Sequence, residues 1–199
     1  MHDTARAQES RTKRLKAATR DAHEHLDRFI MRASPFADRA RYGRFLKMQY
    51  LFHGDLDALF FNPALEALLP NLAARRRLLL VEEDLRDIGS SIPNATRPAL
   101  FVKEQPVELA QALGWLYVIE GSNLGAAFLL KYAAEIGLGE DFGARHLAGA
   151  PQGRGLHWRT FTAALDQIGL TKDEEAKTIA AADAAFRHVA NLAKEVFDA

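Results

Sequence analysis

The sequence predicts an all-α fold in a single domain. Apolar residues recur at intervals of three and four along the whole chain, which is the spacing of helix faces packed on a core. No stretch alternates apolar and polar residues in the way a half-buried strand does. With 199 residues, of which 48% are hydrophobic, the chain is long enough to build one sizeable core. We therefore expect one helical domain over residues 11–199, after a flexible N-terminus at 1–10.

Spacing and caps place the helices of the first half of the chain. The apolar spacing predicts a first helix over 11–31. A second helix is expected after Asp38. Asn62 followed by Pro63 marks a further helix start, because Asn is a good N-cap and Pro suits the first helical position. The periodicity predicts another helix over 71–88.

Turn residues separate the remaining helices. The segment 89–98 is dense in Gly, Ser and Pro and forms the one long connection. Pro106 opens a long helix that we expect to end near Ile136, and another helix is predicted over 157–168. The capping-box pattern from Thr171 to Glu174 introduces a last helix that ends near Val196.

Composition excludes several function classes. Lys plus Arg (26) balances Asp plus Glu (26), so no basic excess argues for a nucleic-acid partner. The absence of cysteine excludes disulfides, thiolate metal sites, iron–sulfur clusters and cysteine nucleophiles. No apolar run is long enough to span a bilayer, and the N-terminus lacks the apolar stretch of a secretory signal. We expect a cytoplasmic monomer with no membrane or nucleic-acid partner.

The long helix carries a stripe of glycines. Gly114, Val118, Gly121 and Gly125 lie on one side of it, since steps of four, three and four residues stay within about 40°. Each interior glycine costs roughly 1 kcal/mol of helix stability relative to alanine, so close approach of another group must offset the stripe. Either a neighbouring helix packs tightly here or a flat ligand lies on bare backbone, and the spacing leaves both open.

His23 has the most useful neighbours of the seven histidines. Lys16 lies two turns earlier on nearly the same side, about 10 Å away along the helix axis. That separation suits a flat macrocycle, with His23 on a central metal and the Lys16 ammonium on a carboxylate at the rim. His25 points about 200° further round and cannot share the metal. The same residues also fit an amphipathic helix with a half-buried histidine and a lysine stem packed on the surface.

A second group of polar residues falls outside the first helix. Gln49 and His53 are one turn apart on the second helix. With His146 and Trp158 they could hold ordered water in an apolar pocket, or they could simply satisfy one another as buried polar groups.

The long helix carries three further candidates. Tyr117 lies one turn before Gly121 and should border the same surface, and Ser122 adds a short polar group beside it. Lys131 lies beyond the stripe and is either a ligand contact or an ordinary solvated lysine. By contrast, the charged runs 75–77 and 82–84 indicate a solvated helix face.

Four segments together resemble the bacterial branch of the haem oxygenase family. They are Thr-Arg-Asp-Ala-His ending at His23, the aromatic second helix at 45–53, Glu-Gly-Ser-Asn-Leu-Gly-Ala at 120–126, and Phe-Gly-Ala-Arg-His-Leu at 142–147. The resemblance covers essentially the whole chain. It implies a helical bundle that holds haem, as substrate and cofactor, between a proximal N-terminal helix and a glycine-kinked distal helix.

The resemblance also implies a role for each candidate. His23 would be the iron ligand, and Gly121 and Gly125 would pass close over the opposite face of the haem. Mammalian members place an aspartate in the distal helix where this chain has Ser122, so other groups must organise the water. The remaining haem contacts would be Lys16, Tyr117 and Lys131. The distal polar network would be Gln49, His53, His146 and Trp158.

The reaction implied by the resemblance is cleavage of haem b by O2 and reducing electrons to biliverdin, carbon monoxide and ferrous iron. A ferredoxin or a flavin-dependent reductase is the expected electron donor. A neutral imidazole ligand suits O2 binding without the electron push of a thiolate. Lys16 with Tyr117 resembles the propionate anchors of members that cut at the α-meso carbon, so we expect the α isomer, with β and δ left open.

Three other functions fit parts of the sequence. A haem carrier or storage protein would use the same His23 without cleaving haem. The thiaminase-like relatives of this helical superfamily that use a cysteine nucleophile are excluded, because the chain has no cysteine. A regulatory helical bundle would give no reason for the glycine stripe.

Overall fold

The structure is a computed structural model that describes residues 9–94 and 97–198. Within these ranges the chain forms seven α-helices and no strand longer than an isolated bridge, which confirms the expected all-α class. The helices are α1 (Arg11–Arg32), α2 (Arg39–Leu56), α3 (Pro63–Glu66), α4 (Leu78–Asp87), α5 (Leu109–Glu135), α6 (Arg154–Gln167) and α7 (Lys172–Phe197).

The caps at Asn62 and Thr171 form as the sequence predicts, whereas the cap at Ser10 was not predicted. The Ser10 side chain accepts from the amide of Lys13 and begins α1, while residues 1–8 of the expected flexible N-terminus lie outside the described part of the chain. Thr171 and Glu174 form the capping box that begins α7, as predicted.

The helix expected over 71–88 is interrupted. Only its second half is α-helical, as α4. A short 3-10 helix at Ala73–Arg75 precedes it, and Arg76 between the two has an extended backbone with ψ of 133°. The helix is interrupted because three successive arginines bind partners in three different parts of the fold. Arg75 pairs with a residue of α5, Arg76 pairs with a residue just after α2, and Arg77 donates to carbonyls of the turn that follows α5. Arg75 and Arg77 are buried, so the prediction of a solvated face is wrong for both.

Helix α7 organises the bundle. It packs along both α5 and α1, and α6 also contacts both of these helices. The two helices assigned to the two faces of the haem therefore share the same supports. Helix α5 is long and apolar enough to cross a membrane, but 56% of its apolar window is buried inside the fold, as in the core helix of a bundle.

The glycine stripe of α5 has different surroundings at its two ends. A Cβ on Gly114 would lie 2.7 Å from the Cβ of Ala181 on α7, so this glycine permits a close helix crossing. A Cβ on Gly125 would meet no atom of the described residues within 4 Å. Both interpretations of the stripe are thus needed: helix packing explains Gly114, and open space lies beside Gly125.

Candidate functional site

His23 presents its imidazole on an open side of α1. Its side chain is 57% exposed, and its Nδ1 lies 3.2 Å from the Oδ2 of Asp27, one turn later. The ring also meets the edge of Phe186 on α7, at 5.5 Å between centroids. Because Asp27 engages Nδ1, Nε2 is the nitrogen available to bind a metal, and the carboxylate holds the ring in orientation for it.

Helices α1 and α5 approach each other close to Lys16. The Tyr117 side chain on α5 contacts the side chain of Thr19 on α1, whose hydroxyl donates to the Leu15 carbonyl within α1. Burial raises the pKa of Tyr117, and the nearby Thr19 hydroxyl opposes that rise. Lys16 lies one turn before Thr19 and is exposed. A phenol and an ammonium, both hydrogen-bond donors, therefore stand near the same contact, where they suit a carboxylate.

The surface of α5 around the glycines is open and apolar. A Cβ on Gly121 would meet only the Trp158 ring, at 3.6 Å, among the residues the structure describes. Phe128 follows two turns later on the same side and is 67% exposed. The Nζ of Lys131 lies 5.8 Å from the centre of the Phe128 ring. Bare main chain beside an exposed aromatic side chain forms a flat apolar surface of the kind that marks a ligand site.

A small cavity of about 30 Å³ lies beside this face of α5, which is room for about one water molecule. Its polar lining comprises three of the four residues of the predicted distal network, together with Ser122 and Asn123, the two short polar residues beside the glycine stripe. The lining is Gln49, His53, Ser122, Asn123, Ala126, Leu129, His146 and Leu147.

Ser122 lines the cavity but also bonds within α5, and Trp158 lies outside the cavity lining. The Ser122 hydroxyl donates to the carbonyl of Ile119 at 2.7 Å, so its proton is used within α5. Trp158 is not part of the cavity lining. Its ring stacks on Phe161 at 5.8 Å and contacts Tyr117, so that it supports the back of Gly121.

Two imidazoles turn unpaired nitrogens into the interior. The Nδ1 of His53 and the Nε2 of His146 are buried and have no hydrogen-bond partner within the described chain. Burial, with His146 and Arg77 nearby, lowers the pKa of His53 to about 3. Burial also lowers the pKa of His146, although Asp84 opposes this shift. Both rings are therefore neutral at neutral pH, and their free nitrogens suit a water in the adjoining cavity.

Asp84 is a site residue that the sequence analysis missed. Its fully buried carboxylate accepts from the amides of Arg145 and His146 and lies 2.7 Å from the His146 Nδ1. It therefore fixes the His146 tautomer with the proton on Nδ1 and leaves Nε2 as the acceptor. The sequence did carry a signal, because Asp84 lies on the same helix side as Val81 and Ile88.

A second buried charge lies next to the glycines. Glu120 pairs with Arg75 at 2.8 Å, and both side chains are almost completely removed from solvent. Arg75 also donates to the carbonyl of His157 and lies 5.5 Å from the Phe161 ring, so it joins α5 to α6 immediately before Gly121. Breaking such a pair would leave an uncompensated buried charge, which is strongly destabilising.

The described residues contain no group of three or more His, Cys, Asp or Glu side chains that could hold a metal ion. The exposed His23, the bare face of α5 and the unpaired distal nitrogens all fit haem.

A larger cleft of about 600 Å³ lies elsewhere, between α1, α2 and α7, and contains none of the predicted site residues. Two of its three arginines form hydrogen bonds within the fold. Arg41 donates to the Ala33 carbonyl after α1, and Arg44 donates to the Phe197 carbonyl at the end of α7.

Comparison with known proteins shows the family of the chain. The Heme oxygenase family model matches residues 9–195. The chain is 43% identical over 190 residues to Heme oxygenase PigA of Pseudomonas aeruginosa, covering 96% of this chain and 94% of that protein. It superposes on the NO- and CO-bound heme oxygenase of Neisseria meningitidis with a TM-score of 0.86 and 39% identity, over 95% of this chain and 92% of that one.

A more distant structure shows the same fold. The heme oxygenase of Leptospira interrogans matches with a TM-score of 0.73 at 18% identity, over 94% of this chain and 100% of that one. The match to the family model and the 43% identical relative both span nearly the whole chain. The chain belongs to the haem oxygenase family.

Proposed function

We propose that this haem oxygenase binds its substrate between α1 and α5, with His23 Nε2 on the iron and the main chain of Gly121 and Gly125 against the opposite face. The observation that carries the proposal is the pairing of an exposed imidazole, oriented by Asp27, with open glycine backbone on a helix that shares its supports with α1. The overall reaction is oxidative haem degradation, in which haem is both substrate and cofactor.

Haem b supplies the iron at which O2 is activated, and the products are biliverdin, carbon monoxide and ferrous iron. The chain orients the macrocycle. We assign the propionates to Lys16 and Tyr117, supported by the contact of Tyr117 with Thr19 one turn from Lys16. Lys131, beside the exposed Phe128 ring, is the further cationic contact in this proposal. This orientation favours the α isomer of biliverdin.

The distal residues hold a proton source without a strong acid. Gln49, His53 and His146 line a cavity of one-water size, and both imidazoles are neutral because burial lowers their pKa values. A charged acid above the ligand would promote cleavage of the O–O bond, whereas water held by neutral groups delivers protons more gently. Glycine brings the backbone close and adds no acidic group.

The remaining assignments concern the surroundings of the enzyme. We assign the supply of electrons to a ferredoxin or a flavin-dependent reductase, and the enzyme to the cytoplasm as a monomer. The chain has no cysteine to form its own redox cluster, so the electrons have to come from another protein or reductant.

The test of the iron ligand is His23→Ala, with the exposed His25→Ala as the matched control. Haem added to the parent should give the visible spectrum of an imidazole complex, and a reductant should convert it to biliverdin. His23→Ala should lose that spectrum and the turnover, and free imidazole should restore the spectrum. A His23→Ala protein with the parental spectrum and rate would contradict the proposal. If the unmodified protein gives the spectrum of an imidazole complex but forms no bile pigment with a reductant, a haem carrier would be favoured.

The test of the propionate anchors is the double variant Lys16→Met with Tyr117→Phe. The parent should release the α isomer, because two donors fix the in-plane orientation of the haem. The double variant should release a mixture of isomers, measured by chromatography of the extracted biliverdin. An isomer ratio equal to the parent's would remove these two residues from the assignment.

A further inference from the structure

Arg154 joins two walls of the distal cavity. It is the first residue of α6, and its Nη1 donates to the main-chain carbonyl of Asn123 on α5 at 2.9 Å. Its Nη2 donates to the main-chain carbonyl of Leu147. Asn123 and Leu147 both line the cavity, one on the glycine side and one on the side of His146. One guanidinium therefore links the distal helix to the turn that carries a distal imidazole.

The bond to Asn123 reaches the weakest part of α5. Asn123 lies midway between Gly121 and Gly125, where the helix has little side-chain support of its own. A helix carbonyl has a second lone pair beyond the one used within the helix, so it can accept from a side chain without breaking the helix. Arg154 thus adds an external tie where the main chain is to face the haem.

The His146 turn is held on its other side by different residues. Arg77 donates to the carbonyls of His146 at 2.7 Å and Ala148 at 2.9 Å, and Asp84 accepts from the His146 amide. These bonds tie the turn to α4 and the residue just before it. The bonds of Arg154 connect the same turn to α5, and so act on the separation of the two walls.

The position of Arg154 is itself fixed by the fold. Gly153 precedes it with φ of 89°, a conformation that residues other than glycine rarely adopt, and this sets where α6 begins. The Arg154 side chain packs on Gly149, where an added Cβ would lie 3.4 Å from the Arg154 Cγ. The planar fork of arginine can serve two carbonyls in different directions, which a lysine ammonium does less well.

We propose that Arg154 is a positioning residue that sets the separation between the glycine segment of α5 and the His146 turn. It thereby sets how closely bare main chain approaches the haem. The role rests on the haem placement proposed above, and it acts through Asn123 and Leu147 rather than by touching substrate.

The test compares Arg154→Ala with Arg159→Ala, an exposed arginine on the same helix. Hydrogen exchange of the haem-free protein should accelerate about tenfold at the amides of 121–130 and 145–148 in Arg154→Ala, the effect of losing a charged hydrogen bond, and stay unchanged over α1. Arg159→Ala should match the parent throughout. Equal exchange at both segments in Arg154→Ala and the parent would overturn the proposal.

Chemical rescue separates positioning from general damage to the fold. With haem bound, Arg154→Ala should shift the pH midpoint of the ferric visible spectrum and slow single-turnover conversion to biliverdin. Guanidinium chloride at non-denaturing concentration should restore both values, while sodium chloride at equal ionic strength should not. Failure of guanidinium to restore either value would count against the proposal. The His23→Ala experiment tests the haem placement separately, so the two failures are distinguishable.

Discussion

At the level of single residues, the distal side of the site depends on polar groups that the fold removes from water. Asp84, His53 and His146 are all buried, and the nearby Arg77 lies within the same region. Burial lowers the pKa of both imidazoles, because it penalises their charged forms. A change of pH should therefore alter the free energy of unfolding, in addition to any effect on the reaction.

The clearest pH effect is predicted for His53. Its pKa falls from an ordinary value of 6.5 to about 3 in the folded chain, so the unfolded chain binds a proton more readily between these values. Stability is therefore fully present above pH 6.5 and is lost as the pH falls toward 3. Between pH 6 and 4.5 this single group should remove about 2 kcal/mol from the free energy of unfolding.

The variant His53→Gln should lose that much less stability over the same pH interval, because glutamine does not titrate. The measurement is the unfolding free energy from urea titrations at several pH values. His25→Gln serves as the control, since His25 is exposed and its removal should leave the pH dependence unchanged. Identical pH dependence in His53→Gln and the parent would show that His53 is not held neutral by burial.

The residues that the sequence singled out differ from the buried charged residues that the structure adds. His23 was a candidate because of its spacing from Lys16, and the glycines because they form a stripe on one helix side. Arg75 and Asp84 were missed because they lie within charged runs, and such runs are usually solvated. Which member of a run turns inward is decided by partners distant in sequence, such as Glu120 for Arg75.

At the level of elements, helix α5 combines two kinds of glycine on one stripe. Gly114 permits the crossing with α7, whereas an added Cβ would meet only the Trp158 ring at Gly121 and no described atom at Gly125. The sequence predicted the stripe and the length of the helix. It could not divide the stripe between packing and ligand, because that depends on where α7 crosses. The helix is continuous through both distal glycines, and a bend there stays a prediction.

This division predicts opposite effects of the same substitution at two positions. Gly114→Ala should destabilise the haem-free protein by about 1–3 kcal/mol, because the added methyl overlaps α7. Gly125→Ala should leave its stability equal or raise it by up to about 1 kcal/mol, because alanine favours a helix and meets no neighbour.

The rate of haem turnover should be lowered by Gly125→Ala even though this variant is as stable as the parent. The methyl of Gly125→Ala would project toward the haem and lower the rate of biliverdin formation, although the fold is intact. Urea unfolding of the haem-free variants and a turnover assay of the haem complexes give the two values. A destabilised Gly125→Ala variant with parental turnover would assign this glycine to packing.

At the level of the whole molecule, distant parts of the chain are fastened by buried polar residues. Asp55 at the end of α2 binds Arg97 of the long connection and His188 of α7. Arg11 at the start of α1 donates to carbonyls at the end of α6 and pairs with Glu175 of α7. These ties hold α1, α2, α6 and α7 together, and α5 packs on α6 and α7. The two helices proposed to enclose the haem are therefore carried by one framework.

The proposed placement of haem between His23 and the glycine backbone of α5 can be tested directly. Crystals of the haem complex, measured at the iron absorption edge, locate the iron by its anomalous signal. We expect an iron peak bonded to His23 Nε2, with the macrocycle against Gly121 and Gly125 and the propionates directed to Lys16 and Tyr117. An iron peak bonded to another side chain, or a macrocycle in the cleft between α1, α2 and α7, would contradict it.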